Sequence, residues 1–190
     1  MNSEKIAKKL INLSGKTEPQ SVIVYGFNNM ILAMLELLEI LTVSLVLGMT
    51  KECLIMLGVF IPIRIYAGGH HAKTVLLCQV ETVLLFCGAL LGCKYTAINE
   101  VLQYIITFLL LFLIICIAPI ENRNRILSSN EKRVFKRKAF VVFCITFLIF
   151  IFIKSIREIL VWGYLLVIAT MLVGYVNNFI EKKWQYIIFI

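Results

Sequence analysis

The chain has 190 residues, of which 61% are hydrophobic and only 16% are charged. A soluble globular domain has about 45–50% apolar and about 25% charged residues, so this composition excludes that class. The formal net charge is +8, but no nucleic-acid-binding motif accompanies it, and we predict no nucleic-acid partner. The long apolar stretches instead predict an all-α integral membrane bundle that forms one domain over residues 1–190.

The N-terminal segment, residues 1–18, is basic and lacks the continuous apolar run and cleavage site of a signal peptide. Its apolar residues fall near one helical face and its lysines towards the other: Ile6, Leu10, Ile11 and Leu13 against Lys5, Lys8 and Lys9. This pattern is typical of a short amphipathic helix that lies on an anionic leaflet of the bilayer. A disordered basic tail is the alternative interpretation.

Six apolar stretches follow in chain order. Each is predicted to be helical, because backbone polar groups in lipid must be satisfied within the segment. No alternation of period two favours a barrel. The stretches are residues 22–49, 52–63, 75–93, 99–120, 139–153 and 159–180. We therefore expect about six transmembrane helices that interact with the lipid bilayer.

The basic residues between these stretches predict how the chain is oriented. Most of the 19 Lys and Arg residues lie in the N-terminal segment, in residues 64–74 and 121–138, and in the C-terminal tail. The intervening gaps contain only Lys51, Lys94, Lys154 and Arg157. Since basic loops stay in the cytoplasm, both termini and residues 64–74 are predicted to be cytoplasmic.

Residues 52–63 are the least certain crossing, because twelve residues fall short of the roughly 20 that a spanning helix needs. If they do not cross, the strongly basic 121–138 loop moves outside, so the charge rule favours a crossing. Arg64 and Tyr66 could extend the span towards the interface. A re-entrant segment, or a helix broken near Pro62, remains open as an alternative.

The segment "RIYAGGHHAKTVLLC", residues 64–78, contains both histidines of the chain. Cys78 lies just inside the third apolar stretch, and a cysteine becomes a strong nucleophile only as a thiolate, which a neighbouring imidazole or cation promotes. If these residues were helical, His71 and Cys78 would lie two turns apart on one face, with His70 rotated away. The spacing therefore modestly favours His71 over His70 as the base.

Three further residues complete a candidate acyl-transfer site. Gly68 and Gly69 allow positive φ angles and could supply backbone N–H groups to an oxyanion. Arg64 is a permanent cation whose planar fork matches a carboxylate. The alternative interpretation is a cysteine used for packing, solvated histidines and an ordinary Gly-Gly turn.

Other ionisable residues carry weaker hypotheses. Glu81, one turn beyond Cys78, could orient a histidine, whereas Glu36 and Glu39 share one face deep in the first span and could be functional. Cys78 and the two histidines could offer three metal ligands, with Glu81 beside them, but the chain has no CxxC and no aspartate, so we predict no metal and no cofactor. A Cys53–Cys93 disulfide is conceivable but has no support.

Arg64, Gly69, His71 and Cys78, in the membrane context described above, resemble the accessory gene regulator B (AgrB) family of bacterial membrane peptidases. The resemblance extends to the chain length, the basic N-terminus and the multi-span organisation. It implies that His71 and Cys78 are the catalytic pair and that Arg64 and Gly69 support them. His70 is a competing base that the family pattern does not decide.

The resemblance also implies a cysteine endopeptidase in the bacterial cell membrane, active at the cytoplasmic face. Its substrate would be a small AgrD-like quorum-sensing precursor, cut near an acidic C-terminal tail through a thioester and cyclised to a thiolactone or lactone. It further implies a homodimer. We expect the basic residues of the 121–138 loop to attract the tail, although they could serve only to fix topology: Lys132, Arg133, Lys136, Arg137 and Lys138. A non-catalytic transporter or exporter of a signalling peptide is the alternative function.

Overall fold

The structure is a computed structural model that describes residues 20–70, 74–121 and 127–188. Within these ranges the chain is mainly helical, and each of its six α-helices overlaps one of the six predicted apolar stretches. They are α1 (Gln20–Val46), α2 (Thr50–Ala67), α3 (Val75–Tyr95), α4 (Glu100–Cys116), α5 (Ser129–Phe152) and α6 (Arg157–Ile188), with a 3-10 turn at Lys154–Ile156 before α6. The predicted interfacial helix of residues 1–18 lies outside the described residues.

Three of these helices are long and apolar enough to cross a membrane, over Gly26–Val46, Leu76–Tyr95 and Lys154–Ile180. Helix α4 is apolar but shorter. Many large apolar side chains of the bundle face outwards; Val46 on α1 is 83% exposed and Phe152 on α5 is 79% exposed. Such a surface is unfavourable in water and suits a lipid environment. The six-span count and the side on which each terminus lies stay predictions.

Helix α2 is the central element of the bundle. It packs mainly against α6 and α5, and its Met56 and Ile63 side chains are fully buried. It continues unbroken through Pro62, so the alternative of a helix broken near this proline is wrong. With 18 residues at 1.5 Å per residue, α2 is about 27 Å long, well beyond the twelve-residue apolar stretch.

The starts of three helices follow from residues that favour N-caps. The side chain of Thr74 accepts a hydrogen bond from Leu77 N at the start of α3, and that of Asn99 accepts from Leu102 N at the start of α4. Ser128 forms a capping box with Glu131. Helix α5 therefore begins at Ser129, and the prediction of a loop through residue 138 is wrong for its last ten positions.

Contacts between the helix ends define two opposite ends of the bundle. At one end Gly68 forms a parallel backbone bridge with Ile120, and Asn178 Nδ2 donates to the carbonyl oxygen of Glu121 at 2.8 Å. At the other end Ile98 N donates to a carboxylate oxygen of Glu158 at 3.0 Å. The first end contains residues 64–70 and Cys78, and we refer to it as the site end.

Candidate active site

The turn after α2 depends on Gly68. Its φ of 74° lies in the left-handed region that L side chains avoid, and its N–H closes α2 by donating to Arg64 O at 2.9 Å. A Cβ here would collide with the backbone of Ile120, whose N–H donates to Ala67 O at 2.9 Å. The N–H of Gly68 is therefore already used by the helix cap, and its predicted role towards an oxyanion stays a prediction. Among the described residues, the N–H of Gly69 has no acceptor.

Helix α6 supports the residues that follow. The N–H of His70 donates to Thr170 O at 2.8 Å, one turn before Gly174. A Cβ on Gly174 would lie 2.7 Å from His70 N and 2.8 Å from Gly69 C. Gly69 is equally confined, because a Cβ there would lie 2.6 Å from Arg64 Nη1. The backbone of residues 69–70 therefore lies directly on the surface of α6.

The ring of His70 is bonded on both sides. Its Nε2 lies 3.1 Å from Glu81 Oε2, and its Nδ1 lies 2.9 Å from Asn177 Nδ2. If the Asn177 amide donates to Nδ1, then Nε2 carries the proton and donates to the carboxylate. The side chain is 20% exposed and that of Glu81 is 39% exposed. Glu81 therefore contacts a histidine, as predicted from its spacing, and the contact described is with His70.

Arg64 connects this turn to the cysteine. Its Nη2 donates to the carbonyl oxygen of His70, while Nη1 is buried with no hydrogen-bond partner among the described residues. The guanidinium also lies over the Phe60 ring, 5.4 Å from its centroid. It is within electrostatic range of Cys78 and of Glu36. A buried donor without an acceptor is costly, so Nη1 is an unsatisfied polar group of the site end.

Cys78 lies in the first turn of α3 and is half-buried. Its N–H donates to Thr74 O at 3.1 Å. The first turn of a helix presents the positive end of the peptide dipoles, which favours negative charge nearby. Helix α3 starts at Val75 after an extended Thr74, so the helical spacing used to compare His71 with His70 does not apply. His71 itself lies outside the described residues.

The two glutamates of the first span have different surroundings. Glu36 is half-buried and within electrostatic range of Arg64, whereas Glu39 is exposed. Glu36 and Cys78 are therefore both near enough to Arg64 to interact with its charge, whereas Glu39 is exposed. Among the described residues no group of three His, Cys, Asp or Glu side chains could hold a metal ion.

The five basic residues predicted to attract a tail lie on the first turns of α5, in two sets. Lys132 pairs with Glu121 at 2.9 Å, and Lys138 lies over the Tyr66 ring, 5.4 Å from its centroid. The other three line, with their hydrocarbon stems, a groove of about 470 Å³ between α4 and α5 whose exposed surface is almost entirely apolar. The lining residues are Arg133, Lys136, Arg137, Ile114, Ile115, Phe140 and Val141.

Sequence reasoning missed the contribution of α6. Thr170, Gly174 and Asn177 fall on one face of this helix, and each contacts His70 or lies against its backbone. Polar residues within an apolar span were the available signal, since such residues default to a functional hypothesis. Nothing in their local sequence indicates which loop they contact.

The fold and this cluster define a helical membrane protein with a half-buried cysteine, an arginine and a histidine–glutamate pair gathered at one end of the bundle. Residues 3–187 match the family described as accessory gene regulator B, AgrB. The chain belongs to this family, which confirms the resemblance found in the 64–78 segment.

Two curated relatives are similar over much of the chain. Protein FsrB of Enterococcus faecalis is 28% identical over 149 residues, which cover 76% of this chain and 60% of FsrB. A putative AgrB-like protein of Lactiplantibacillus plantarum is 27% identical over 159 residues, covering 82% of this chain and 80% of that protein. The chain therefore spans about three fifths of the length of FsrB. No solved structure matches.

Proposed function

We propose that the chain is a membrane cysteine endopeptidase that cleaves an AgrD-like quorum-sensing precursor and promotes its cyclisation. Membership of the AgrB family supports the substrate class. The observation that carries the chemistry is the position of Cys78 in the first turn of α3, within electrostatic range of Arg64. A helix start and a cation each favour negative charge nearby, and negative charge passes through the sulfur during acyl transfer.

The reaction has two acyl-transfer steps. His71 takes the proton of Cys78, and the sulfur adds to the carbonyl carbon of the scissile peptide bond. The peptide nitrogen leaves with the proton that His71 returns, and the acyl group remains on Cys78 as a thioester. A cysteine or serine of the precursor then attacks this thioester, which closes the ring and restores the Cys78 thiol.

Two donors of the site end are suited to the developing negative charge. The N–H of Gly69 has no acceptor among the described residues. The buried Nη1 of Arg64 also lacks a hydrogen-bond acceptor there. Donors that are fixed before the reaction stabilise an oxyanion more than mobile water does. We assign Gly69 and Arg64 to this role, while Gly68 shapes the turn and caps α2.

The basic residues beside the groove between α4 and α5, rather than its apolar lining, are the proposed site for the acidic tail of the precursor. Arg133, Lys136 and Arg137 line the groove, whereas Lys132 and Lys138 already have partners within the chain. Neutralising the three groove residues together as Gln should raise KM for the precursor, with little change in kcat. Lys138→Gln is the control. An unchanged KM in the triple variant would place the tail elsewhere.

The test of the reaction is cleavage of a precursor peptide by the full chain in bacterial membranes, followed by mass spectrometry. Cys78→Ala and His71→Ala should abolish the cyclic product, since removing a general base costs about 10²–10⁴-fold in rate. Cys87→Ala is the matched control, because Cys87 is half-buried on the same helix. If Cys78→Ala cuts as fast as the unmodified chain, the nucleophile is another residue and the proposal is wrong.

A further inference from the structure

We infer that the groove between α4 and α5 binds an anionic phospholipid, with its phosphate among the basic side chains of α5 and an acyl chain along the apolar lining. The groove holds about 470 Å³, within the range of about 300–1,000 Å³ that is usual for small-molecule sites. The function proposed above gives its apolar lining no task. Lipid binding is independent of that function, and only the competition described last rests on it.

The groove changes from basic to apolar along α5. Arg133, Lys136 and Arg137 come first, and Phe140 and Val141 follow. Because these positions are three or four residues apart, they share one face of the helix. The helix axis rises about 12 Å from the first to the last of them. A phospholipid has the same order, a charged group followed by hydrocarbon, so it can lie along this face.

The last turn of α4 forms the opposite wall of the groove. It contributes Ile114, which is buried, and Ile115, which is exposed. Among the described residues the lining has no polar side chain besides the three basic ones. The apolar part therefore offers no side-chain hydrogen bond to a peptide or a sugar, whereas an acyl chain needs only apolar contact.

The rim of the groove carries positive charge that suits a phosphate. Lys136 is half-buried, and Arg133 and Arg137 are exposed; their stems line the groove while their charged ends can reach its rim. The nearest acidic residues along the chain are Glu121 and Glu131, of which the first pairs with another lysine and the second caps α5. Basic pockets between transmembrane helices bind anionic lipid headgroups, and this charge favours an anionic lipid over a neutral one.

Native mass spectrometry of the full chain in detergent tests this site. The protein is titrated with phosphatidylglycerol, which is anionic, or with phosphatidylcholine of the same acyl chains, and bound lipid is counted. Phosphatidylglycerol should bind about tenfold more tightly or better, since each basic residue near an anionic lipid contributes roughly fivefold in affinity. Changing Arg133, Lys136 and Arg137 together to Gln should make the two affinities equal. Equal affinities in the unmodified chain would overturn the inference.

Two variants separate the groove from the general charge of α5. The double variant Lys132→Gln, Lys138→Gln removes two charges from the same helix outside the groove and should keep the lipid preference; its loss there would refute a defined site. Ile115→Trp fills the apolar lining, leaves all the cations in place and should weaken phosphatidylglycerol binding. Unchanged binding in this variant, or displacement of the lipid by inorganic phosphate, would show that no acyl chain occupies the groove.

A bound lipid would compete with the acidic tail of the precursor, because both use the same three cations. In reconstituted membranes, replacing phosphatidylcholine by phosphatidylglycerol should raise KM for the precursor in the unmodified chain, and raise it less in Ile115→Trp. An equal rise in both proteins would assign the effect to membrane surface charge and refute the competition. Absence of cleavage in both membranes would overturn the proposed function, while lipid binding measured without precursor would still decide the present inference.

Discussion

Gly174→Ala tests how precisely α6 must hold the turn at residues 68–70, which we call the histidine turn. Alanine is the better helix former by about 0.5–1 kcal/mol, so an isolated helix would be stabilised. In this protein the new Cβ would lie 2.7 Å from His70 N and 2.8 Å from Gly69 C, both backbone atoms. Ordinary van der Waals contacts begin at 3.4 Å, so the turn must retreat from α6 by roughly 0.7 Å.

The expected effect is mainly on catalysis. A misplacement of about 1 Å can cost on the order of 10²-fold in rate, so kcat/KM should fall by about 10- to 100-fold. Overpacking costs about 1–3 kcal/mol, and the gain in helix propensity offsets part of it, so the protein should remain folded. The assay is cleavage of a precursor peptide in membranes, with thermal unfolding in detergent as the measure of stability.

Gly88→Ala is the control, because a Cβ there meets nothing within 4 Å. Gly88 lies on α3, the same helix as Cys78, so its substitution also tests whether any glycine-to-alanine change in the spans is harmful. If Gly174→Ala and Gly88→Ala both retain full activity, the turn tolerates the shift. The reasoning that links loop position to catalysis would then be refuted.

Two further predictions concern single positions. Gly68→Ala should abolish cleavage, since its φ of 74° is left-handed and its Cβ meets Ile120. Gly48 is also left-handed, with a φ of 68°, but a Cβ there would lie in open space. Gly48→Ala should therefore lower the stability by about 1–2 kcal/mol and retain cleavage. Equal cleavage in the Gly68 and Gly48 variants would contradict this prediction. Arg157→Leu should destabilise the fold by about 1–3 kcal/mol, seen as a lower unfolding temperature, because buried Arg157 donates to two carbonyls in the last turn of α5. A lower kcat in the fraction of protein that stays folded would contradict a purely structural role, because it would show that the end of the bundle opposite the site end influences the site.

Much of the fold was readable from the sequence because it depends on local properties. Apolar stretches, capping residues and the proximity of Arg64 to Cys78 along the chain follow from composition and short spacings. Helix bounds were less predictable where polar and apolar segments merge. The basic residues before the fifth span are helical, because the Ser128–Glu131 capping box starts α5 ahead of its apolar part.

The hydrogen-bond partners of the site residues were not predictable, because they depend on long-range packing rather than on local sequence. Asn177 bonds a residue 107 positions away, and only the packing of α6 against the histidine turn brings them together. The sequence also could not assign Glu81 to one histidine of an adjacent pair, because that choice depends on the turn geometry set by Gly68 and Gly69. Long-range packing, which no local pattern encodes, decides both.

The dependence of the histidine turn on α6 has a consequence for biosynthesis. A ribosome adding about 5–20 residues per second needs roughly 5–20 s to proceed from His70 to Asn177. During that interval Cys78 is already in the nascent chain, but Thr170 and Asn177 have not been made. The turn at residues 68–70 is therefore held in place only when the last helix has been synthesised and docked. Chains released before that point lack the contacts of His70 with α6, so the proposed activity would depend on completed translation.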